Sequence, residues 1–519
     1  MSKQLPALHL CIAGSPDFLR RMSIAAEQCV SAGTLQNLQV YRANPAEAKA
    51  KVIETRPDML LMDMGFKITT SDAIWLRQLL TELRERFGKS LYIVVAVTSP
   101  EKFVFAGDLL FADQESLVGS ELLDNLLFSP PYGFPSIPSL ESQFQHLLAC
   151  VSEVLASSTS GANPLPALGA PAWVPSMADP ESWSVWMRWL PRYARYVNEN
   201  PIIIGPTGSG KTKLAAALHE LSGRKGPFVS MTPRDFSSTE LIQAELFGAG
   251  AGAYTGAVDK WGLVKKADKG TLFIDELQSI DLDLQGKLIT FIENKTYRRV
   301  GEAESHFADV RFVFASNRPL ALLVKEGKLR DDFAYRLERL QLVLRPLCER
   351  RLDIAAGACS AMAKVLRERA DAGRQTSSGQ VSQAGNPEGF TSGAYGKIFG
   401  AEWPGNLRQL ENSVAKFIEL TNLSNKRLID EECINEGMQG SLGAGELSTT
   451  AILEHATRTA ERTVQSGSGL SLASFIAEVE EHARTRALEA AGGCTEKAAQ
   501  LLGESNRIME LFAAARSKQ

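Results

Sequence analysis

Histidine and cysteine are scarce in this sequence, and their scarcity excludes several classes of protein. The 519 residues include six histidines and seven cysteines. The cysteines are scattered, without a C-x-x-C pair or a neighbouring histidine cluster. This distribution argues against a zinc site or a disulfide framework and fits a reducing compartment. We therefore expect a cytoplasmic protein.

Long apolar runs and a strong net charge are also missing. The apolar run at residues 91–97 is far shorter than the roughly 20 residues that cross a bilayer, and the N-terminus has no long apolar stretch. We expect neither export nor a membrane partner. The net charge of −4 gives the whole surface no attraction for nucleic acid, so any DNA binding must come from a local surface.

A chain of this length is expected to form several domains. Between Leu8 and Leu155, short apolar runs alternate with helical stretches, which is typical of a parallel α/β sheet. Segments rich in Ser, Gly, Ala and Pro interrupt the chain as linkers. The predicted divisions are an α/β domain at 1–156, a linker at 157–182, an α/β core at 183–350, a helical lid at 351–436, a linker at 437–469 and a helical domain at 470–519.

An apolar strand, a glycine-rich loop and a helix follow one another from Pro201. The loop is a complete P-loop, G-x-x-x-x-G-K-T. Its glycines let backbone N–H groups approach phosphate, Lys211 offsets the β and γ charges, and Thr212 can hold Mg²⁺ at a helix N-terminus. A plain glycine turn is the weaker reading, because the three parts occur in the required order. The residues predicted to bind ATP here are Gly205, Pro206, Thr207, Gly208, Ser209, Gly210, Lys211 and Thr212.

A second apolar strand ends in two adjacent acids. Asp275 can orient the Mg²⁺ shell and Glu276 can polarise the attacking water, so the pair predicts hydrolysis and not binding alone. A third strand ends at Asn317, whose amide could position that water. A simple asparagine turn is the alternative for Asn317.

The loop Gly252-Ala-Tyr-Thr-Gly-Ala257 resembles the partner-contacting loop of the sigma-54-dependent activators, whose signature is Gly-Ala-Phe-Thr-Gly-Ala. Physically, such a loop in an ATPase can swing with nucleotide state and press its aromatic residue onto a partner. The resemblance extends closely over about 200–420 and implies an AAA+ ATPase. It implies sigma-54 contacts by Gly252, Ala253, Tyr254, Thr255, Gly256 and Ala257.

The same resemblance implies a homo-oligomeric ring, a hexamer in this family. The family's trans-acting arginines map onto Arg330 and Arg336, which would reach a neighbouring subunit's γ-phosphate. Surface salt bridges are the alternative for each. The sequence Trp403-Pro-Gly-Asn-Leu-Arg matches the family's sensor in the helical lid and would point Arg408 toward the nucleotide. Thr232 departs from the family pattern: it replaces an Asn that restrains the catalytic Glu, which leaves open how hydrolysis is coupled to partner binding.

The N-terminal region is similar to a response-regulator receiver, with Asp63 at the strand end where that family is phosphorylated. The first strand, however, is followed by Gly14-Ser-Pro-Asp17 in place of an acidic pair, and no lysine ends a fifth strand. Mg²⁺ and a phosphoryl charge would therefore be poorly supported. We expect a degenerate receiver that senses by protein or ligand contact.

The C-terminal residues 487–503 are similar to the factor-for-inversion type of helix-turn-helix in these activators. The following helix would enter the major groove of DNA and offers Ser505, Asn506 and Arg507 as contacts. Acidic residues slightly outnumber basic ones from Ser471 onward, so one copy attracts phosphate weakly. A helical oligomerisation tail is the alternative.

The sequence as a whole predicts an α/β protein with a receiver-like doubly wound domain, an AAA+ P-loop ATPase with a helical lid, and an all-α helix-turn-helix. The expected function is that of a sigma-54-dependent activator that binds enhancer DNA. It would use ATP and Mg²⁺ to remodel the closed complex of sigma-54 RNA polymerase. Two rival functions stay open: an AAA+ remodeller of another protein, and a regulatory module in which nucleotide is a structural ligand.

Overall fold

The computed structural model describes residues 8–35, 37–64, 70–110, 122–134, 137–157, 179, 182, 184–253, 259–375 and 386–439. The chain divides into two compact units, Met1–Asn435 and Glu436–Gln519. The predicted helix-turn-helix at 470–519, with Ser505, Asn506 and Arg507, lies outside the described residues. In the described ranges, no helix has the length and apolar character needed to cross a membrane.

The N-terminal region is a five-stranded parallel sheet with helices between its strands. Its elements are β1 (Leu8–Ala13), α1 (Pro16–Ser31), β2 (Leu38–Ala43), α2 (Ala48–Thr55), β3 (Met59–Asp63), α3 (Thr70–Phe87), β4 (Tyr92–Val97), α4 (Phe103–Leu110), β5 (Asn125–Phe128) and α5 (Leu140–Ser157). The strand order is β2-β1-β3-β4-β5. Every residue of β3, β4 and β5 is buried, because helices cover both faces of the sheet, and their sequences are mostly apolar for that reason. The exceptions are Asp63 at the end of β3 and Asn125 at the start of β5. The predicted doubly wound class is confirmed.

The second region contains the P-loop and is built around another five-stranded parallel sheet. After a π-helical turn at Ser184–Trp189, its elements are α6 (Leu190–Arg195), β6 (Ile202–Ile204), α7 (Lys211–Leu221), β7 (Phe228–Met231), α8 (Thr239–Phe247), β8 (Gly248–Ala249), β9 (Lys260–Trp261), α9 (Leu263–Lys266), β10 (Thr271–Ile274), α10 (Leu282–Asn294), β11 (Thr296–Tyr297), β12 (His306–Phe307), β13 (Arg311–Ser316), α11 (Leu320–Lys325), α12 (Asp331–Glu338) and β14 (Gln341–Val343). The sheet order is β14-β6-β13-β10-β7. Because β6, β13 and β10 are neighbours, the segments that follow them meet at one edge of the sheet.

A helical lid completes the first unit, as the sequence predicted. Its elements are α13 (Leu352–Gln375), β15 (Gly389–Phe390), α14 (Ser392–Gly400), α15 (Asn406–Leu423), β16 (Leu428–Ile429) and α16 (Glu431–Gln439). Helices α13 and α15 pack along each other. Leu410, Val414 and Phe417 of α15 recur at helical spacing and are buried, which is the pattern of a helix with one apolar face.

Helix α4 of the N-terminal region lies directly against α13 of the lid. Phe103, at the start of α4, makes edge-to-face contacts with Phe390 and Tyr395 of the lid. A Cβ added at Gly107 would lie 2.4 Å from the carbonyl oxygen of Cys359, so only glycine permits this approach. The Cys359 thiol donates to the carbonyl of Phe103 over 2.7 Å. The two regions therefore share a packed apolar boundary.

Candidate functional site

The P-loop joins β6 to α7 in a conformation that requires its glycines. Gly208 and Gly210 have φ values of 76° and 104°, in the left-handed region that other residues rarely adopt. The backbone N–H groups at the start of α7 have no partner within the helix, which makes this end a favourable place for an anion. The loop thus fits the phosphates that its sequence predicts.

Lys211 is buried at the first position of α7 and folds back over its own loop. Its Nζ donates to the carbonyl oxygens of Gly205, at 3.0 Å, and Pro206, at 3.3 Å. Burial lowers the pKa of Lys211, while the charges of Asp275 and Glu276 act in the opposite direction. Phosphate oxygens would give this ammonium a stronger, charged partner than two carbonyl groups do.

The lid contacts the P-loop through the Trp-Pro-Gly-Asn-Leu-Arg segment. Leu407 donates its backbone N–H to the Gly208 carbonyl at 3.0 Å, and the Asn406 side-chain amide donates to the Thr207 carbonyl at 2.9 Å. A Cβ at Gly208 would lie 3.2 Å from the Cβ of Arg408. The charge of Arg408 also contributes to the lowered pKa of Lys211. Arg408 therefore lies beside the P-loop.

A buried ion pair between Arg350 and Asp353 is hydrogen-bonded to the P-loop. Arg350 donates from Nη2 to the Ser209 carbonyl at 2.9 Å and from Nη1 to Asp353 Oδ2 at 2.7 Å. The Ser182 hydroxyl donates to the same carboxylate oxygen. Burial raises the pKa of the Asp353 carboxyl to about 7, and the Arg350 charge opposes this shift. The hydroxyl of Ser209 is buried without a hydrogen-bond partner among the described residues, which leaves it available to a ligand.

The two predicted acids follow β10 at the same edge of the sheet. Asp275 Oδ1 accepts the backbone N–H of Glu276 at 2.8 Å. Glu276 has φ 53° and ψ 54°, a left-handed conformation that costs a non-glycine residue about 1–2 kcal/mol. Asn317, after β13, accepts a hydrogen bond from the Gln278 side chain at 3.2 Å. The carboxylates and the amide expected to act on Mg²⁺ and water are therefore gathered at one edge.

The carboxylate of Glu276 has a partner that the sequence did not reveal. Arg234 Nη1 donates to Oε1 at 3.2 Å, and Arg234 Nε lies 2.7 Å from Oε2. Thr232, the position that departs from the family pattern, makes no hydrogen bond to this carboxylate in the described part of the chain.

A Mg²⁺ site here would depend on the nucleotide as well as on the protein. Thr212 lies in the first turn of α7 and is exposed, and Asp275 ends the adjacent strand. Over the residues that the structure describes, no group of three or more His, Cys, Asp or Glu side chains could hold a metal by itself. One hydroxyl and one carboxylate fit Mg²⁺ in the usual NTPase way, with phosphate oxygens and water as the other ligands.

The two predicted trans-acting arginines lie on the surface and not at their own P-loop. The Arg330 side chain is 42% exposed and is paired with Asp332, with Nη2 to Oδ2 at 2.8 Å. The Arg336 side chain is 45% exposed and is paired with Glu293 on α10. These exposed pairs are the kind that a stronger anion can displace.

Only the base of the predicted sigma-54 loop is described. The loop starts after β8 and ends before β9, which pairs with β8. The Gly250 N–H donates to the Val300 carbonyl at 3.0 Å. Gly301 lies so close to Ala253 that an added Cβ would be 2.6 Å from its methyl carbon. Gly252 is described as well, whereas Tyr254, Thr255, Gly256 and Ala257 lie outside the described residues.

The strand end that carries Asp63 has different surroundings. Asp63 is buried and accepts a hydrogen bond from the Thr98 hydroxyl at 3.2 Å. A Cβ at Gly14 would lie 2.5 Å from Phe18 Cδ1, so the position after β1 has no room for an acidic side chain as packed. Lys102, after β4, donates to the Met64 carbonyl at 2.6 Å. A lysine therefore does lie near this edge, although not after the fifth strand.

Residues 187–343 match the family model of the sigma-54 interaction domain. The chain carries a sigma-54 interaction domain. This domain is an AAA+ P-loop NTPase domain.

This chain is similar over part of its length to several curated regulatory proteins. It is 38% identical over 241 residues to the alginate biosynthesis transcriptional regulatory protein AlgB of Pseudomonas aeruginosa, covering 46% of this chain and 50% of AlgB. It is 38% identical over 226 residues to the regulatory protein LuxO of Vibrio parahaemolyticus, covering 42% of this chain and 46% of LuxO. It is 30% identical over 310 residues to the regulatory protein AtoC of Escherichia coli, covering 59% of this chain and 60% of AtoC. This chain thus spans about half the length of the curated relatives it matches.

Among solved structures, NtrX from Brucella abortus in complex with ADP is similar over 98% of this chain and 99% of the NtrX chain. The sequence identity is 19% and the TM-score is 0.43.

Proposed function

We propose that this chain is a sigma-54-dependent transcription activator that hydrolyses ATP in a ring and remodels the closed promoter complex of sigma-54 RNA polymerase. The observation that carries this proposal is that a P-loop and an acid pair meet at one sheet edge of a sigma-54 interaction domain, where the lid that carries Arg408 contacts the P-loop. A cytoplasmic location is part of the proposal.

The roles of the residues follow from their positions. Residues 205–210 bind the phosphates through backbone N–H groups, and Lys211 neutralises their charge. Thr212 and Asp275 would hold Mg²⁺, which would neutralise the charge that develops on the phosphate oxygens. Glu276 orients the attacking water and takes up its proton, with the Asn317 amide alongside.

Assembly supplies the remaining positive charge. Arg330 and Arg336 are proposed to leave their surface acids and reach the γ-phosphate bound by the neighbouring subunit, which makes hydrolysis depend on the ring, a hexamer. Arg408 is proposed to report nucleotide state to the lid, a role supported by its place beside the P-loop.

The partners are proposed from the loop and the C-terminus. Residues 252–257 would press on sigma-54 when the loop swings with nucleotide state. Residues 470–519 would bind enhancer DNA through Ser505, Asn506 and Arg507, with several copies in the ring compensating for the weak charge of one.

The deciding experiment measures ATP-dependent isomerisation of a sigma-54 holoenzyme–promoter complex by the full chain. Wild type should open the promoter, and Thr255→Ala should not while still hydrolysing ATP. Thr290→Ala, which removes an exposed hydroxyl bonded to the Gly286 carbonyl of α10, is the matched control and should behave as wild type.

The two rival functions give different results. If wild type hydrolyses ATP but leaves the promoter closed, another protein is the target of the ring. If wild type binds ATP without hydrolysing it in the presence of every partner, nucleotide is a structural ligand and the activator proposal fails.

A further inference from the structure

The proposed catalytic carboxylate is already engaged by a guanidinium. Arg234 faces Glu276 across the sheet edge, with Nη1 donating to Oε1 and Nε close to Oε2, so both oxygens face the same positive group. Oε2 is buried and accepts no well-aligned hydrogen bond from any described residue, Arg234 included. The ion pair with Arg234 compensates part of the Glu276 charge, and the nearby charge of Lys211 also contributes.

The backbone holds both residues where they can pair. Arg234 lies in a short 3₁₀ turn at Pro233–Asp235, which follows β7 and begins at a buried proline. Glu276 immediately precedes a second 3₁₀ turn at Leu277–Ser279, and the two turns contact each other. Because β7 and β10 are paired neighbours, this juxtaposition is built into the sheet.

The two partners differ in exposure. The Arg234 side chain is 62% exposed, whereas that of Glu276 is 20% exposed. An arginine in that position can swing into water at little cost, since exposed ion pairs are weak. The pairing can therefore be broken without disturbing the strands that carry it.

We propose that Arg234 is a positioning residue that restrains Glu276 and holds basal ATP hydrolysis low until its side chain moves away. The inference rests on the proposed ATPase function and assigns its regulation. It also answers the question raised by Thr232: the restraint comes from a guanidinium two residues further along the chain.

The chemistry explains why the pair is inhibitory. In hydrolysis, the water oxygen bonds to the γ-phosphorus, the bond from that phosphorus to the ADP oxygen breaks, and Glu276 accepts the proton of the water. A carboxylate with both oxygens directed at a guanidinium is turned away from the water and is a poorer proton acceptor. Release of Arg234 frees Glu276 for that step.

The test measures basal ATP hydrolysis by the full chain in the absence of polymerase. Arg234→Ala should raise kcat about three- to five-fold, the effect expected for losing one exposed ion pair, with KM for ATP unchanged within two-fold. Arg234→Lys should stay near wild type because it keeps a cation. Arg369→Ala, which breaks an exposed pair with Glu419 in the lid, is the matched control and should have no effect.

Salt provides a readout that a merely structural role would not change. Raising the ionic strength from about 50 to about 300 mM screens an exposed pair, so the basal kcat of wild type should rise toward that of Arg234→Ala. The Arg234→Ala protein should show no such rise. Equal salt profiles for the two proteins would overturn the inference.

Glu276→Gln separates the inference from the function on which it rests. If Glu276→Gln is inactive, if the Arg234→Ala, Glu276→Gln double variant is inactive too, and if Arg234→Ala alone is faster than wild type, the restraint acts through Glu276. If Glu276→Gln is inactive but Arg234→Ala equals wild type, the inference alone fails. If Glu276→Gln hydrolyses ATP normally, the catalytic role of Glu276 fails and the inference fails with it.

Discussion

Both parallel sheets of this protein carry an aspartate where a buried strand ends, but the two acids have different neighbours. Around Asp275 the loops supply Lys211, Glu276 and Arg408. Around Asp63 they supply the Thr98 hydroxyl, the aromatic ring of Phe18 and Lys102, whose Nζ donates to the Met64 carbonyl. A parallel sheet thus gives a place for a phosphate site, while the loops at its carboxyl edge decide the chemistry.

The largest expected effect tests whether the Asp275 edge is catalytic. Glu276→Gln should lower ATP hydrolysis about 10²- to 10⁴-fold, because it removes a general base, and should leave ATP binding intact. Phosphate release and nucleotide titration measure the two quantities. Glu326→Gln, at an exposed acid paired with Arg318, is the control. A comparable loss of ATP hydrolysis in Asp63→Asn would show that catalysis does not distinguish the Asp275 edge from the Asp63 edge.

The second prediction tests the cation that the P-loop edge contributes. Lys211→Ala should weaken ATP binding about 100-fold, or about 2.7 kcal/mol, because the phosphates lose their buried positive partner. Isothermal titration with ATP gives the Kd. Lys213→Ala is the matched control, since Lys213 is paired with Glu411 of the lid at 3.2 Å. An equal loss in both variants would mean that general positive charge, and not this position, binds ATP.

A smaller effect concerns the buried pair that supports the P-loop. Ser182→Ala removes the hydroxyl that donates to Asp353 and should lower the free energy of unfolding by about 1–3 kcal/mol, because a buried acceptor loses its donor. Urea unfolding of the full chain measures it. Ser31→Ala, at an exposed hydroxyl bonded to the Glu27 carbonyl, should change stability much less. Equal stability of the two variants would refute the supporting role.

The smallest expected effect is at the Asp63 edge. Incubation with acetyl phosphate should give no stoichiometric phosphoryl adduct by intact-mass spectrometry, because Phe18 occupies the space where a Mg²⁺-binding acid would stand. A receiver with a complete acidic pair is the positive control. Full labelling of Asp63 would make the two edges chemically alike and would remove the contrast between them.

The fold class was predictable because its signals are local. Buried apolar strands and the P-loop occur as contiguous runs, and each dictates its own backbone conformation. The positions of Glu276 and Arg408 beside the P-loop followed from motifs of the same contiguous kind.

The partners of those residues were not predictable, because they come from distant parts of the chain. Arg234 meets Glu276 across 42 positions, Arg350 meets Ser209 across 141, and Ser182 meets Asp353 across 171. No spacing in one sequence encodes such pairings. The lysine beside Asp63 was missed for a related reason: it was sought after the fifth strand, whereas Lys102 follows the fourth.

Helix α13 connects the P-loop to the N-terminal region over a short distance. Its first turn contains Asp353, which anchors the arginine bonded to the P-loop. Only six residues later, about 9 Å along the axis, Cys359 is in contact with α4 of the N-terminal region. Because α13 is a stiff helix and makes both contacts within two turns, a tilt of the helix at α4 also moves its end at the P-loop. A displacement of the N-terminal region is therefore passed directly to the phosphate-binding loop.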